Sequence, residues 1–354
     1  MKFLIPILLT SLALCATPVK AQQLSADEVY QGIQQTLESR LYQLPPRVQG
    51  HYGIRMWRLH GDPKYTQAAL VDLFTVTEAQ SFYACQANEL SFVEATSNDM
   101  ISKLGKGPRA KARKAALKPW PEFVFYTDAL LRYASRIDEF GLTGPCHQLL
   151  IEVLKRYDFE PALTDPAMIK SWAAQLINYV YWAKQLGVRD YLDTYTKAFN
   201  AVYPNEQDEQ LDKKQFRNKV YGLTHFVFAA SGYYQKPVDA KEFAWILDYF
   251  EANIERIIKD GTDDIIAEVG VSFLLAGKED HPVVSKTRNH IIGSFDEQAQ
   301  FIPSISGRIS YASGEHRNML AMMLLGWTGE LHPGPHLAKL KQTQKYLPKQ
   351  VKSK

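Results

Sequence analysis

Cysteine is scarce in this chain: three in 354 residues. The first, Cys15, falls in an N-terminal stretch that reads as a secretory signal. Lys2 precedes an apolar run, Phe3–Ala16, and small residues at Val19 and Ala21 stand before a cut ahead of Gln22. Leu12-Ala13-Leu14-Cys15 resembles a lipoprotein box, but Leu14 is a poor residue before the cysteine, so cleavage at Gln22 ranks first. Removal of residues 1–21 leaves Cys85 and Cys146. In an oxidising compartment two cysteines predict one disulfide, closing a loop of about 60 residues and contributing roughly 4 kcal/mol in the chain-entropy account. Long apolar runs are also missing. Phe3–Ala16 is too short for an ordinary membrane span, and nothing later is long enough. Excess charge is missing as well, since the net value is only +3. There is no H-E-x-x-H, no phosphate-binding P-loop, no strand-linked G-x-G-x-x-G and no G-x-S-x-G elbow. Nucleotide chemistry, serine-elbow hydrolysis and nucleic-acid binding therefore have no support, and the expected location is periplasmic or secreted.

What is present is a folded composition, 46% hydrophobic and 12% aromatic, carrying an internal repeat. Gly61, Gly141, Gly187, Gly232, Gly277 and Gly326 each end an apolar helical segment, at separations of 80, 46, 45, 45 and 49 residues. Glycine fits such ends because it takes the left-handed conformation without a side-chain penalty. The apolar members are His51–His60, Glu122–Phe140, Met168–Leu186, Phe216–Ser231, Asp263–Ala276 and Gly314–Leu325. Each is followed by a more charged helix: Pro63–Thr77, Gly144–Tyr157, Asp190–Val202, Asp239–Ile258, His281–Ile292 and Pro335–Tyr346. In Lys241–Ile257, Phe243, Ile246, Leu247, Phe250, Ile254 and Ile257 recur at helical spacing with charges on the other faces, the pattern of a one-sided surface helix. Met319–Leu325 has no polar face and must be covered all round.

Six alternations of buried and half-buried helix predict an all-α fold and resemble the (α/α)6 toroid of six helical hairpins. That architecture is shared by terpenoid cyclases, lanthionine cyclases and several glycosidases and polysaccharide lyases. An open solenoid has the same repeat, but its concave face would expose these apolar members. The chain is also similar to an uncharacterised family of exported proteobacterial proteins, a likeness that implies no activity. The expected organisation is one domain over 22–348 and a flexible tail at 349–354. A short strand or hairpin is expected near 299–313, with Ile302, Ile305 and Tyr311 lining the mouth. The long first interval contains a basic insert, about 79–119, in which Lys103, Lys106, Arg109, Lys111, Arg113, Lys114 and Lys118 have no acid between them. It reads as a lid or a contact for an anionic surface, or as a solvated excursion.

In such a ring the inner helices run parallel, so their N-terminal halves meet at one mouth, where unpaired N–H groups and positive dipole ends face a shared cavity. The residues expected there are His51, Tyr52 and Arg55; Tyr126 and Asp128; Trp172, Gln175 and Asn178; Tyr221 and His225; Asp264 and Glu268; and Glu315, His316 and Arg317. Singly, each has an ordinary role: a bonded core histidine, a packing tyrosine, a helix cap at Asp264, a dipole partner at Glu315. Together they point to a ligand site, because polar groups at buried helix starts cost stability.

Two carboxylates among Asp128, Asp264, Glu268 and Glu315 would serve a glycoside hydrolase. A polysaccharide lyase needs a cation for the uronate and a tyrosine or histidine to move protons, which Tyr221, His225, His316 and Arg317, with Glu268, supply. The mouths hold more of the second set. Substrate contacts fall to His51, Tyr52, Arg55, Asp128, Trp172, Gln175, Asn178, Asp264 and Glu315. No cofactor is expected. Zinc on His51, His225, His316 and Glu268 is the metal alternative, and a noncatalytic glycan- or peptide-binding protein is the alternative to an enzyme. The partner is a small-molecule or glycan ligand.

Overall fold

The computed structural model describes residues 24–354, so the expected signal segment 1–21 and Cys15 lie outside the described residues. In chain order the helices are α1 (Ala26–Glu38), α2 (Pro46–His60), α3 (Thr66–Ala84), α4 (Leu90–Ser102), α5 (Pro108–Ala116) and α6 (Arg132–Glu139). A π-helical segment, Phe125–Leu131, leads directly into α6. Then come α7 (His147–Arg156), α8 (Glu160–Thr164), α9 (Pro166–Gln185), α10 (Leu192–Val202), α11 (Lys213–Ala230), α12 (Ala244–Ala252), α13 (Ile254–Asp260), α14 (Asp263–Leu275), α15 (Pro282–Gly293), α16 (Tyr311–Leu325) and α17 (Lys341–Gln344). Two short strands, β1 (Leu142–Thr143) and β2 (Lys352–Ser353), pair antiparallel. The fold is all-α.

Local chemistry sets the helix boundaries. Asp165 caps α9 by accepting from the Met168 N–H, with Pro166 in the first turn. Asp212 and Gln215 form a reciprocal capping box at α11. Gly61, Gly141, Gly187, Gly232 and Gly277 all have φ between 63° and 75°, the left-handed stop read from the sequence. Gly326 does not, at φ −96°. A Cβ there would sit 2.4 Å from the Tyr30 ring, so close approach by α1 is what requires glycine.

The apolar helices pack around a closed circuit. Among the inner helices α16 lies on α2, α6 on α9, α9 on α11, α11 on α14 and α14 on α16, the Arg58–Glu139 ion pair joins α2 to α6, and the return helix α3 packs on both. The inner helices α2, α6 and α16 run parallel: the early residues His51 and Glu315 meet across α2 and α16, and the late residues Arg58 and Glu139 meet across α2 and α6. Met319–Leu324 are fully enclosed, as their lack of a polar face demands. The disulfide joins Cys85, just past α3, to Cys146 at the start of α7.

Four expectations about the chain need correction. Pro335–Tyr346 forms only the single turn of α17. Its place outside α16 is taken by α1, which buries Val29, Tyr30, Ile33 and Leu37 on α16 and α15. The return helix expected over Asp239–Ile258 breaks at Asn253 into α12 and α13. Segment 299–313 holds no ladder, only a bridge between Asp296 and Phe301 near its start; Ile302 is pinned to α16 by Asn318, whose amide accepts from the Ile302 N–H and donates to its carbonyl. Finally, residues 349–354 are docked: β2 pairs with β1, and Lys354 donates to the Gly141 carbonyl and pairs with Asp138.

Candidate functional site

His225, Glu268 and His316, expected on three different inner helices, lie together, with each histidine 3.7 Å from the Glu268 carboxyl. From α16, Glu315 Oε1 lies 2.7 Å from His51 Nδ1 on α2, and His51 Nε2 lies 3.3 Å from His316 Nδ1. His316 Nε2 faces Glu268 Oε1 of α14 at 3.7 Å. The second Glu268 oxygen is 2.6 Å from the Thr224 hydroxyl, which is 3.3 Å from His225 Nδ1. One column thus runs Glu315, His51, His316, Glu268, Thr224, His225, and the Tyr221 ring stacks edge-on against His225 at 4.4 Å.

Burial governs its charge states. Desolvation holds His225 down at about 3 and, aided by the nearby Arg55 cation, His51 well below the usual imidazole range. Desolvation raises Glu268, which is fully enclosed, and lifts Glu315 to about 7. The Tyr221 phenol is pushed far up, so it keeps its proton. A neutral His51 that donates from Nδ1 to Glu315 offers Nε2 as acceptor to His316 Nδ1–H. That leaves His316 Nε2 bare, and neither it nor Glu268 Oε1 has a hydrogen-bond partner. Two unsatisfied atoms face one another too far apart to bond, while the His316 side chain remains 39% exposed. Both atoms are themselves enclosed, so the gap is a buried one that lacks a donor.

The basic insert covers part of this mouth. α5 packs on α9, where Arg113 donates to the Ser171 carbonyl at 3.1 Å and to Gln175 at 2.6 Å, with its guanidinium 4.3 Å above the Trp172 ring. Burial lowers Arg113 to about 10, which leaves it charged. Lys103, Lys106, Arg109, Lys111 and Lys118 remain exposed.

A sequence-family profile described as a domain of unknown function (DUF3541) matches residues 26–354. The chain belongs to this family. No curated protein matches it, and no solved structure does. The DUF3541 match spans both the column and the insert, so these are parts of one family unit.

Within this DUF3541 chain the expected site residues divide. His51, Tyr221, His225, Glu268, Glu315 and His316 form the column, and Arg55 lies beside it, donating to the His51 carbonyl at 3.4 Å. Trp172 and Gln175 serve the insert instead, and Asn178 is buried with an unpartnered amide oxygen. Asp128 accepts from Tyr179 at 3.0 Å, and Asp264 bonds Thr262. Arg317 braces the Ile302 carbonyl at 3.2 Å. Tyr52, one residue from His51, points the other way and donates to Glu38. Tyr126 stacks on Tyr157 at 4.1 Å. Among the described residues no group of three or more His, Cys, Asp or Glu side chains is disposed to hold a metal.

Sequence reasoning missed Thr224, Arg132, Arg136 and Tyr233, which lie in the middle or C-terminal parts of the inner hairpins. One signal was available: Arg132 and Arg136, four apart, project from the same face of a helix meant to be buried.

Proposed function

We propose that the chain is an exported carbohydrate-active enzyme that cleaves an acidic, uronate-containing glycan by β-elimination. The observation that carries this is the unpartnered His316 Nε2, enclosed on a side chain that is 39% exposed and backed by His51 and Glu315. His316 takes the proton from the carbon next to the uronate carboxyl. The released electron pair forms the C=C bond, the glycosidic C–O bond breaks, and the leaving oxygen takes the proton of Tyr221. Arg55 supplies positive charge beside the column.

The hydrolase reading has less support. It needs two carboxylates free to flank a bond, whereas Asp128 and Asp264 are bonded elsewhere and Glu315 is tied to His51. The disulfide favours an oxidising compartment, in keeping with export. The closed circuit of helices favours kinship with the toroid enzymes.

The test is incubation of purified protein with polygalacturonate, alginate and glucuronate polymers, reading the ultraviolet absorbance of an unsaturated uronate. Turnover is expected with at least one polymer, and His316→Ala should lower it about 10²–10⁴-fold while leaving the circular dichroism spectrum intact. Polymers that bind but come back unaltered would refute the enzyme reading and identify a binding module.

A further inference from the structure

Past the column, in the C-terminal halves of the same parallel helices, lies a chamber of about 120 Å³. Four arginines line it: Arg55 and Arg58 from α2, Arg132 and Arg136 from α6. Glu139 is the one carboxylate in the lining, and Arg58 takes it at 3.0 Å while also donating to the Tyr233 and Gly334 carbonyls. Arg136 stands 3.8 Å from Glu139 and 3.9 Å from Asp72, beyond hydrogen-bond reach of either, and its Nη1 is buried without a partner. Arg132 reaches Asp128 only at 3.8 Å.

Arg55 is the exception that decides the reading. It is 5% exposed, and among the described residues it forms no ion pair. Its Nη1 meets the His51 carbonyl, its Nε has no partner, and the rings of Tyr233 and Tyr234 lie 5.8 and 5.7 Å from its guanidinium carbon. A guanidinium cannot shed its charge on burial, and buried charges are stable only when paired. The Asp72 carboxylate lies on the Arg136 side, 3.9 Å from that guanidinium, and forms no ion pair with Arg55. Four guanidinium groups thus share one carboxylate in the chamber wall, and Arg55 has none of its own.

Its size and surroundings describe the ligand. At about 30 Å³ per water, the chamber holds roughly four waters, or one oxyanion, and no whole sugar. Glu139, Trp182 and Tyr233 also line a much larger basin of about 780 Å³ on the outer face, with Tyr181, Gln185 and Lys236. The turn that presents Tyr233 to both cavities is strained: Tyr233 and Tyr234 have φ of 56° and 75°, a region side chains rarely occupy.

We propose that the chamber is an oxyanion-binding site, filled by a carboxylate or sulfate group whose uncharged carrier rests in the adjoining basin against Trp182 and Tyr233. The site holds for a binding protein as well as for an enzyme.

Thermal unfolding of the full chain, titrated with inorganic sulfate and separately with galacturonate at ionic strength held constant with chloride, tests it. A saturable rise in Tm is expected with at least one, together with a change in Trp182 fluorescence that Trp182→Phe removes. Tighter binding of galacturonate assigns a uronate as the source, and tighter sulfate binding assigns a sulfate ester. Arg55→Gln should weaken the response at least tenfold. Ser135→Asp, which places a carboxylate on the chamber wall, should raise the ligand-free Tm and abolish the response. If neither anion acts beyond chloride, or if Ser135→Asp responds like the parent chain, the proposal fails; the parent titration decides even where Arg55→Gln does not fold. His316→Ala should keep the full response, and a parent chain that binds the anion but turns over no polymer overturns only the lyase reading.

Discussion

At the His316 end of the ring interior every ionisable group of the column can give up its charge, whereas at the Arg55 end the arginines cannot. Both ends are buried on the same helices. His51 and His225 are driven neutral, and Glu268 and Glu315 are raised. Arg58, although lowered to about 10 by burial, stays a cation and needs Glu139 and two carbonyls around it. Equal desolvation thus yields a proton-handling end and a charge-holding end, the difference resting on the chemistry of the side chains.

The comparison breaks most sharply at Arg58. Glu139→Ala strands a buried guanidinium and should destabilise by about 3–5 kcal/mol, measured by urea unfolding; a loss under about 1 kcal/mol would mean the arginine end needs no counter-charge. Next in size is the pH dependence. His225 titrates near 6.5 when unfolded and about 3 when folded, so between those values the unfolded chain holds the extra proton and stability falls as pH drops. Glu315 runs the other way, from 4.5 unfolded to about 7 folded, so its contribution is full below 4.5 and is lost as pH rises through 7. His225→Gln should flatten the acid limb, and Glu315→Gln should remove the opposing decline. An unchanged acid limb in His225→Gln would show that this histidine is not held neutral. The smallest effect is expected at the insert. Arg113→Ala should cost about 1 kcal/mol and shift Trp172 emission to the red, and an unmoved spectrum would show that α5 does not shield the mouth.

Much of the fold was legible because the stopping glycines carry a backbone requirement that survives without any alignment, and five of them have the expected φ. Gly326 was read correctly as a helix end, but its stated cause was wrong, since the Tyr30 ring is supplied by a helix nearly 300 residues earlier that local pattern could not connect to it. The same distance hid α1 as the partner of α16. In the site, His51, Glu268 and His316 could be inferred because parallel helices bring early residues to one end. Tyr52 could not be separated from His51 by proximity in sequence, since one residue turns a helix by about 100°. The arginine chamber was invisible for a related reason: attention to helix starts passes over residues such as Arg136 and Tyr233, which converge only where the helices finish.

That α1 seals α16 has a consequence for biogenesis. On a chain made from its N-terminus, the face formed by Val29, Tyr30, Ile33 and Leu37 waits uncovered while almost everything else is synthesised. Ring closure is then a late, long-range event, and the interval before it is when this polypeptide most needs a chaperone.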